Sequence, residues 1–171
     1  MTAGHDGFDE FFRADFARLI AFLVKLGYRS QDAEDAAGEA MASLYANWAS
    51  VEQPRAWVRL VARRHVLRFA RRDVERSARE VLARRSRVAP DERADVVEDV
   101  LWLAGILEQL SPQERVVMVL SMDGFTSVEI AAHIGIAPAT ARSHLHNARK
   151  RLKTHPQLAD LAAVAERRSA R

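Results

Sequence analysis

The sequence contains no cysteine among its 171 residues. Disulfide bonds and thiolate metal sites are therefore excluded. Only 7 glycines and 5 prolines are present, whereas alanine, leucine, arginine and glutamate are abundant. Because glycine and proline disfavour helix interiors and the four abundant residues favour them, the composition predicts an all-α fold.

Long apolar runs are also missing. No stretch approaches the roughly 18 uncharged apolar residues that a membrane-spanning helix needs. The first ten residues, MTAGHDGFDE, are acidic and lack the features of a signal peptide. We therefore expect a soluble, cytoplasmic protein with no membrane insertion. Apolar residues still make up 49% of the chain, which suffices for a packed core and argues against global disorder.

The formal net charge of +3 conceals blocks of opposite sign. Residues 1–53 carry 4 basic and 9 acidic side chains, and residues 89–110 carry 1 and 6. Residues 54–88 carry 12 basic and 3 acidic side chains, and residues 111–171 carry 9 and 5. Two basic blocks separated by acidic ones indicate two nucleic-acid contacts on one chain. The alternative is that the arginines only keep the surface soluble.

Residues 111–152 contain the start signals of two helices. Ser111 and Glu114 have the spacing of a capping box, in which each side chain accepts a hydrogen bond from the other residue's backbone N–H. Thr126 and Glu129 have the same spacing. Apolar residues follow both boxes, so each box predicts a helix with one buried face.

A third helix is predicted after a tight turn. Gly135 is expected to stop the second helix in the left-handed conformation, which a side chain would disfavour. Pro138 suits the first position of the third helix. The inward face of that helix is expected to consist of Ala141, Leu145, Ala148 and Leu152.

A short helix, a glycine turn and a longer helix form the layout of a helix-turn-helix. In that layout the last helix enters the major groove of DNA, with its N-terminal residues toward the bases. His144 is also expected to be exposed, and a plain helical hairpin is the alternative. The candidate DNA-binding residues are Pro138, Ala139, Thr140, Arg142, Ser143, His146 and Arg149.

Two amphipathic helices are predicted in the first 50 residues. The first covers residues 8–26, and its apolar positions include Phe12. The second begins at Ser30, and its inward residues include Tyr45. Its outer face carries three carboxylates, which spacing alone identifies as a solvated face and function would identify as a patch for a basic protein. These three are Asp32, Asp35 and Glu39.

The next helix is predicted to begin at Pro54 and carries seven arginines and no acid over residues 54–72. Arginine rows interleaved with aromatic side chains suit phosphate contact and stacking on unpaired bases. A basic amphipathic helix can also lie on a membrane or bind an acidic protein. The candidate residues on it are Trp57, Arg59, Arg63 and Arg64.

Composition divides the chain into two helical domains. The first domain is predicted over residues 1–74, followed by a linker over residues 75–98. The second domain, with the helix-turn-helix, is predicted over residues 99–155. The last 16 residues, 156–171, are predicted as a C-terminal tail with a helix start at Pro156.

Two blocks in this order resemble bacterial sigma factors of the extracytoplasmic-function (ECF) group, over residues 8–153. The block DAEDAAGEAMASLYANWASVEQPRAWVRLVARR is similar to the second conserved region of that family. The block LSPQERVVMVLSMDGFTSVEIAAHIGIAPATARSHLHNARKRL is similar to its fourth region. The resemblance implies a transcription initiation factor that binds core RNA polymerase and directs it to promoter DNA.

The resemblance also implies roles for the candidate residues. The three carboxylates correspond to the surface that docks on the coiled coil of the polymerase β′ subunit, and the β flap is a second polymerase contact. The loop at residues 49–53 and the arginine helix correspond to the part that takes the minus-ten element, where an unstacked base is held. The last helix of the helix-turn-helix corresponds to the reader of the minus-thirty-five element.

Family analogy adds an anti-sigma factor as a further partner. No catalytic residues, metal site or cofactor are predicted, so the protein should not be an enzyme. The free chain is expected to be a monomer. The alternative function is a stand-alone helix-turn-helix transcriptional regulator, which would bind duplex DNA without polymerase.

Overall fold

The computed structural model describes residues 7–77 and 94–156, with side chains described over 7–68 and 98–156. Within these residues it contains seven α-helices, one 3₁₀ helix and no strand. The chain divides into two compact units between Leu101 and Trp102. Most of the predicted linker and all but the first residue of the predicted C-terminal tail lie outside the described residues.

The first unit is built on three helices. They are α1 (Phe8–Lys25), α2 (Ser30–Asn47) and α3 (Pro54–Ser77), and the 3₁₀ helix (Trp48–Ser50) lies between the last two. Its core combines large side chains of α1 with an alanine-rich face of α2. Because alanines let helices approach closely, α2 can pack against both of its neighbours. The buried residues of α2 are Ala33, Ala36, Ala37, Ala40, Met41 and Leu44.

Aromatic side chains pack the start of α1 against the end of α2. The Phe8 ring meets Tyr45 edge-on with 5.0 Å between ring centroids, and it meets Trp48 in the same way at 5.4 Å. Two side chains predicted to face inward remain accessible, since Phe12 is 37% and Tyr45 is 47% exposed. Both lie at the edge of the cluster, where Phe12 stacks on Phe16.

The second unit contains the three helices of the helix-turn-helix region. These are α5 (Pro112–Met122), α6 (Ser127–Ile134) and α7 (Pro138–Lys153), and α4 (Ala94–Leu107) precedes them. The core side chains come from each of these helices, including Leu107, Leu120 and Ile130. On α7 the buried residues are Ala141, Leu145 and Ala148, as the four-three spacing predicts.

Local signals start and stop these helices where the sequence predicts. Ser111 and Glu114 form a complete capping box, as do Thr126 and Glu129. Gly135 is left-handed, with φ of 73°, and ends α6. One detail of α6 was wrong, because Val128 is 59% exposed instead of buried. The predicted class, all-α with two helical domains and a helix-turn-helix in the second, is confirmed.

Candidate functional site

The outer face of α7 is a polar surface on a rigid apolar support. Proline at the first turn and three buried small or apolar residues hold the helix against α5 and α6. His144 differs from expectation, because it is only partly exposed and lies close enough to Glu114 to influence that carboxyl group. Every candidate residue of this helix is exposed: Pro138, Ala139, Thr140, Arg142, Ser143, His146 and Arg149.

A cleft of about 470 Å³ lies between this face of α7 and the start of α6. Arg142, His146 and Arg149 line it from α7. The opposite wall carries the hydroxyl groups of Thr126 and Ser127, at the positive end of the α6 helix dipole. Cations and hydroxyl groups that converge on an open cleft are suited to a phosphodiester and to the polar edges of bases. Its lining also includes Ser121, Phe125 and Leu145.

The capping boxes fix the helices that form this cleft. The Ser111 N–H donates to Glu114 Oε2 at 3.0 Å, and the Thr126 N–H donates to Glu129 Oε2 at 2.7 Å. Hydrogen bonds from the Thr126 side chain and backbone lower the pKa of Glu129. Thus the carboxylate at the N-terminus of α6 stays ionised and holds that turn in place.

Glu114 joins the start of α5 to the end of α7. Its side chain is buried, and Arg151 Nε lies 3.4 Å from its Oε1. Burial is the largest single influence on the pKa of Glu114 and would raise it. The hydrogen bonds from Ser111 and the charges of Arg151 and His144 together outweigh burial, so the pKa is lowered.

Arg59 is not a surface residue, which corrects its prediction as a DNA-binding side chain. Both of its terminal nitrogens contact the carboxylate of Asp15 on α1, with 3.0 Å between Nη2 and Oδ1. The Arg59 side chain has no exposed surface, and its guanidinium lies 5.8 Å from the centre of the Phe22 ring. A phosphate cannot reach this group, because the fold surrounds it.

A sequence signal for this buried pair exists. Asp15 lies four residues before Leu19 and seven before Phe22, so it shares their apolar face on α1. Arg59 lies three residues before Ala62 and therefore shares the buried face of α3. One acid and one arginine on facing apolar stripes predict a buried salt bridge, because either charge alone would be costly to bury.

The other candidates on α3 remain accessible to different degrees. Arg64 is exposed, whereas Trp57 and Arg63 are partly exposed. Arg63 lies near the phenol of Tyr28, whose pKa is raised by burial and lowered to a smaller extent by that arginine. Arg55, at 46% side-chain exposure, approaches the Asp15 carboxylate at 3.9 Å.

The loop before α3 has a packed beginning and an open middle. Trp48 starts the 3₁₀ helix and contacts the rings of Phe8 and Phe11, so it serves as an anchor. Four of the next five residues are exposed: Ala49, Ser50, Glu52 and Gln53. This arrangement presents a short polar loop from a fixed base next to the first turn of α3.

The acidic face of α2 is accessible as predicted from its spacing. Asp35 and Glu39 are exposed, and Asp32 is partly exposed. Glu39 is also in contact with His65 of α3, where its Oε2 lies 2.5 Å from Nδ1. The sequence analysis did not single out His65, because the contact depends on how α3 crosses α2.

The part of the chain that the structure describes contains no group of three or more histidine or carboxylate side chains arranged to hold a metal ion. Among the same residues, no helix is both long and apolar enough to cross a membrane.

Comparison with known proteins follows the same division of the chain. Residues 11–76 match the family described as Sigma-70 region 2, and residues 101–152 match Sigma-70, region 4. The RNA polymerase sigma-E factor of Streptomyces coelicolor is 29% identical over 168 residues, which cover 96% of this chain and 94% of that protein.

Solved structures show the same fold. One is the sigma factor RpoE in complex with the anti-sigma factor NepR from Bartonella quintana, with a TM-score of 0.62 and 22% identity, covering 85% of this chain and 94% of that one. Another is CnrH in complex with the cytosolic domain of CnrY, with a TM-score of 0.63 and 19% identity, covering 94% of this chain and 92% of that one.

A helix-turn-helix unit combined with a second helical unit, which carries an arginine helix and an acidic face, defines a two-domain transcription factor. The chain belongs to the sigma-70 family, in its ECF group. It is accordingly a transcription initiation factor that binds core RNA polymerase and directs it to promoters. A region 2 match beside the region 4 match does not favour the stand-alone regulator.

Proposed function

We propose that this sigma factor reads promoters through two DNA surfaces and docks on polymerase through a third. The single observation that carries the proposal is the polar outer face of α7 beside a cleft lined by cations. That face belongs to the helix whose counterpart in other helix-turn-helix proteins enters the major groove. The other two surfaces lie in the first unit, on α2 and α3.

The α7 surface is assigned to the minus-thirty-five element. Arg142 stands one turn into the helix and is exposed in the cleft, so its guanidinium suits a bidentate contact with a guanine edge. Arg149 lies two turns further along and suits a phosphate. Exposed hydroxyl, imidazole and small side chains complete the proposed reader, which consists of Pro138, Ala139, Thr140, Arg142, Ser143, His146 and Arg149.

The α3 surface is assigned to the minus-ten element. Trp57, Arg63 and Arg64 stay in this proposal because each keeps exposed surface. The loop over residues 49–53 precedes them and offers polar groups that could hold an unstacked base. Arg59 is left out, since its guanidinium belongs to the salt bridge with Asp15.

The acidic face of α2 is assigned to the coiled coil of the polymerase β′ subunit. Asp32, Asp35 and Glu39 offer three carboxylates within two helical turns, which suits a basic partner surface. The second unit is assigned to the β flap. The proposed domains are residues 1–74 and 99–155, joined by a linker over 75–98 and followed by a tail over 156–171.

An anti-sigma factor is a further proposed partner. Both solved relatives described above are held by such a factor, which supports a similar form of control for this chain. We also propose that the protein acts in the cytoplasm, is a monomer when free, uses no cofactor and catalyses no reaction of its own. These follow from its role as a polymerase subunit rather than from any missing group.

Assembly with core polymerase tests the proposal. Purified protein mixed with core RNA polymerase is expected to co-elute with it on gel filtration. The resulting complex is expected to protect two promoter elements from nuclease, whereas the protein alone protects neither strongly. Failure to co-elute, together with tight binding of the free protein to duplex DNA, would contradict it.

A further inference from the structure

One contact joins the acidic face of α2 to the arginine helix α3. His65 Nδ1 lies 2.5 Å from Glu39 Oε2. The histidine side chain is only 14% exposed, whereas that of the glutamate is 53% exposed. The imidazole is therefore the more firmly held partner, and the carboxylate is the one that projects into solvent.

The proton on Nδ1 determines what this contact can be. An ionised carboxylate only accepts hydrogen bonds, so the contact requires a proton on Nδ1. Arg68 Nη2 lies 3.3 Å from the same nitrogen. Arginine only donates, so Nδ1 cannot serve both partners at once. The shorter distance favours Glu39 as the hydrogen-bonded partner.

We propose that His65 is a positioning residue for polymerase docking, because it holds one oxygen of Glu39 and leaves Oε1 for a cation on the polymerase. This inference rests on the proposed docking role of Glu39. A flexible glutamate loses rotamer freedom when it binds, and a side chain that is already held loses less. In its neutral form, imidazole donates without cancelling the carboxylate charge that the polymerase would meet, whereas an arginine at this position would cancel it.

The magnitude follows from the freedom that the contact removes. Immobilising one rotamer-rich side chain costs about 0.5–1.5 kcal/mol on association, which corresponds to roughly 2- to 12-fold in Kd. The His65→Ala change should therefore weaken binding to core polymerase by a factor in that range. The His65→Asn change should bring the affinity back to within about 2-fold of the wild type, since asparagine can place an N–H near the position of Nδ1.

The test measures the Kd of the full-length protein for core polymerase by titration with a fluorescently labelled chain. Four variants are compared with the wild type: His65→Ala, His65→Asn, Glu39→Gln, and Glu39→Gln combined with His65→Ala. In the Glu39→Gln background, loss of His65 should have no further effect, because the carboxylate that it positions is absent. His65→Leu, which keeps side-chain volume, replaces the alanine variant if thermal melting shows that alanine disrupts α3.

Leu67→Ala provides the matched control. Leu67 lies two residues further along α3 and is 42% exposed, so it faces away from the Glu39 contact. Its truncation should leave the affinity unchanged. Unaltered affinity in His65→Ala, or equal losses in His65→Ala and His65→Asn, would overturn the inference while leaving the docking role of Glu39 intact. Unaltered affinity in Glu39→Gln would instead overturn that docking role and the inference with it.

Discussion

Arg142 is the single side chain on which the proposed base readout depends most. It is exposed, it lines the cleft, and it lies in the N-terminal half of α7. A bidentate contact between arginine and a guanine edge contributes about 1–3 kcal/mol of discrimination. Such a contact would also make Arg142 specific for one base pair, in contrast to the lysines at the end of the helix.

The Arg142→Ala change should weaken binding of the holoenzyme to the upstream element by about 1–3 kcal/mol and relax the base preference at one position. Lys153→Ala is the comparison, because Lys153 is exposed at the far end of α7. It should weaken binding about equally for all sequences. Footprinting on a promoter and on its single-base variants measures both effects, and an unaltered footprint would remove Arg142 from the reader.

Asp15 illustrates a different role for a charged residue, within the core. Its carboxylate is enclosed with Arg59 between α1 and α3. Removing one partner of a buried ion pair leaves the other charge without compensation, which costs about 3–5 kcal/mol. This residue therefore contributes to the stability of the first unit and only indirectly to the surface that α3 offers.

The Asp15→Ala change should lower the free energy of unfolding by about 3–5 kcal/mol, as measured by urea denaturation. Asp9→Ala is the control, because Asp9 is an exposed acid in the first turn of the same helix and should cost about 1 kcal/mol or less. Equal small losses in the two variants would show that the buried pair does not stabilise the fold.

At the scale of helices, local signals explain what the sequence could predict. The two capping boxes, the left-handed Gly135 and Pro138 act within a few residues of each other, so α5, α6 and α7 begin and end as expected. The burial of Arg59 and the contact between Glu39 and His65 depend on how α1, α2 and α3 cross. Side chains at such crossings have no local signature that separates a surface arginine from a core one.

Glu114 connects the capping of α5 to the stability of the second unit. Its folded pKa is lowered from the ordinary value of 4.5. A carboxyl group with a lowered folded pKa contributes stability that is present above its unfolded pKa and is lost as the pH falls through the folded value. The contribution of Glu114 should therefore be complete at neutral pH and decline below pH 4.5.

The Glu114→Gln change tests this dependence. At pH 7 the variant should be less stable than the wild type, because glutamine lacks the charge that Arg151 meets. The difference between the two should shrink steadily on acidification below pH 4.5. Denaturant melts at several pH values measure it, and a difference that does not change between pH 7 and pH 3 would contradict the assignment.

For the whole molecule, charge is distributed by function. Acidic residues predominate over residues 1–53, where the proposed polymerase surface lies, and basic residues predominate over residues 54–88. Opposite charges on neighbouring helices allow one unit to approach a basic protein surface and the DNA backbone together. The same separation explains why the small net charge of +3 is a poor guide to the partners.

Reversing the acidic face should separate docking from folding. Asp35→Arg combined with Glu39→Arg should abolish co-elution with core polymerase, because two favourable charges become repulsive toward a basic partner. Asp9→Arg combined with Glu10→Arg makes the same change in net charge at exposed positions of α1 and should retain co-elution. Circular dichroism checks that both variants remain helical, and co-elution of the first variant would refute the docking assignment.

Run-off transcription tests the central claim most directly. Purified core polymerase is supplied with a library of genomic promoter fragments, with and without this protein. Transcripts that start at defined sites only when the protein is added are the predicted result, and their upstream sequences should share two spaced elements. Identical transcripts with and without the protein, at concentrations that saturate core polymerase, would contradict its role as a promoter-directing sigma factor.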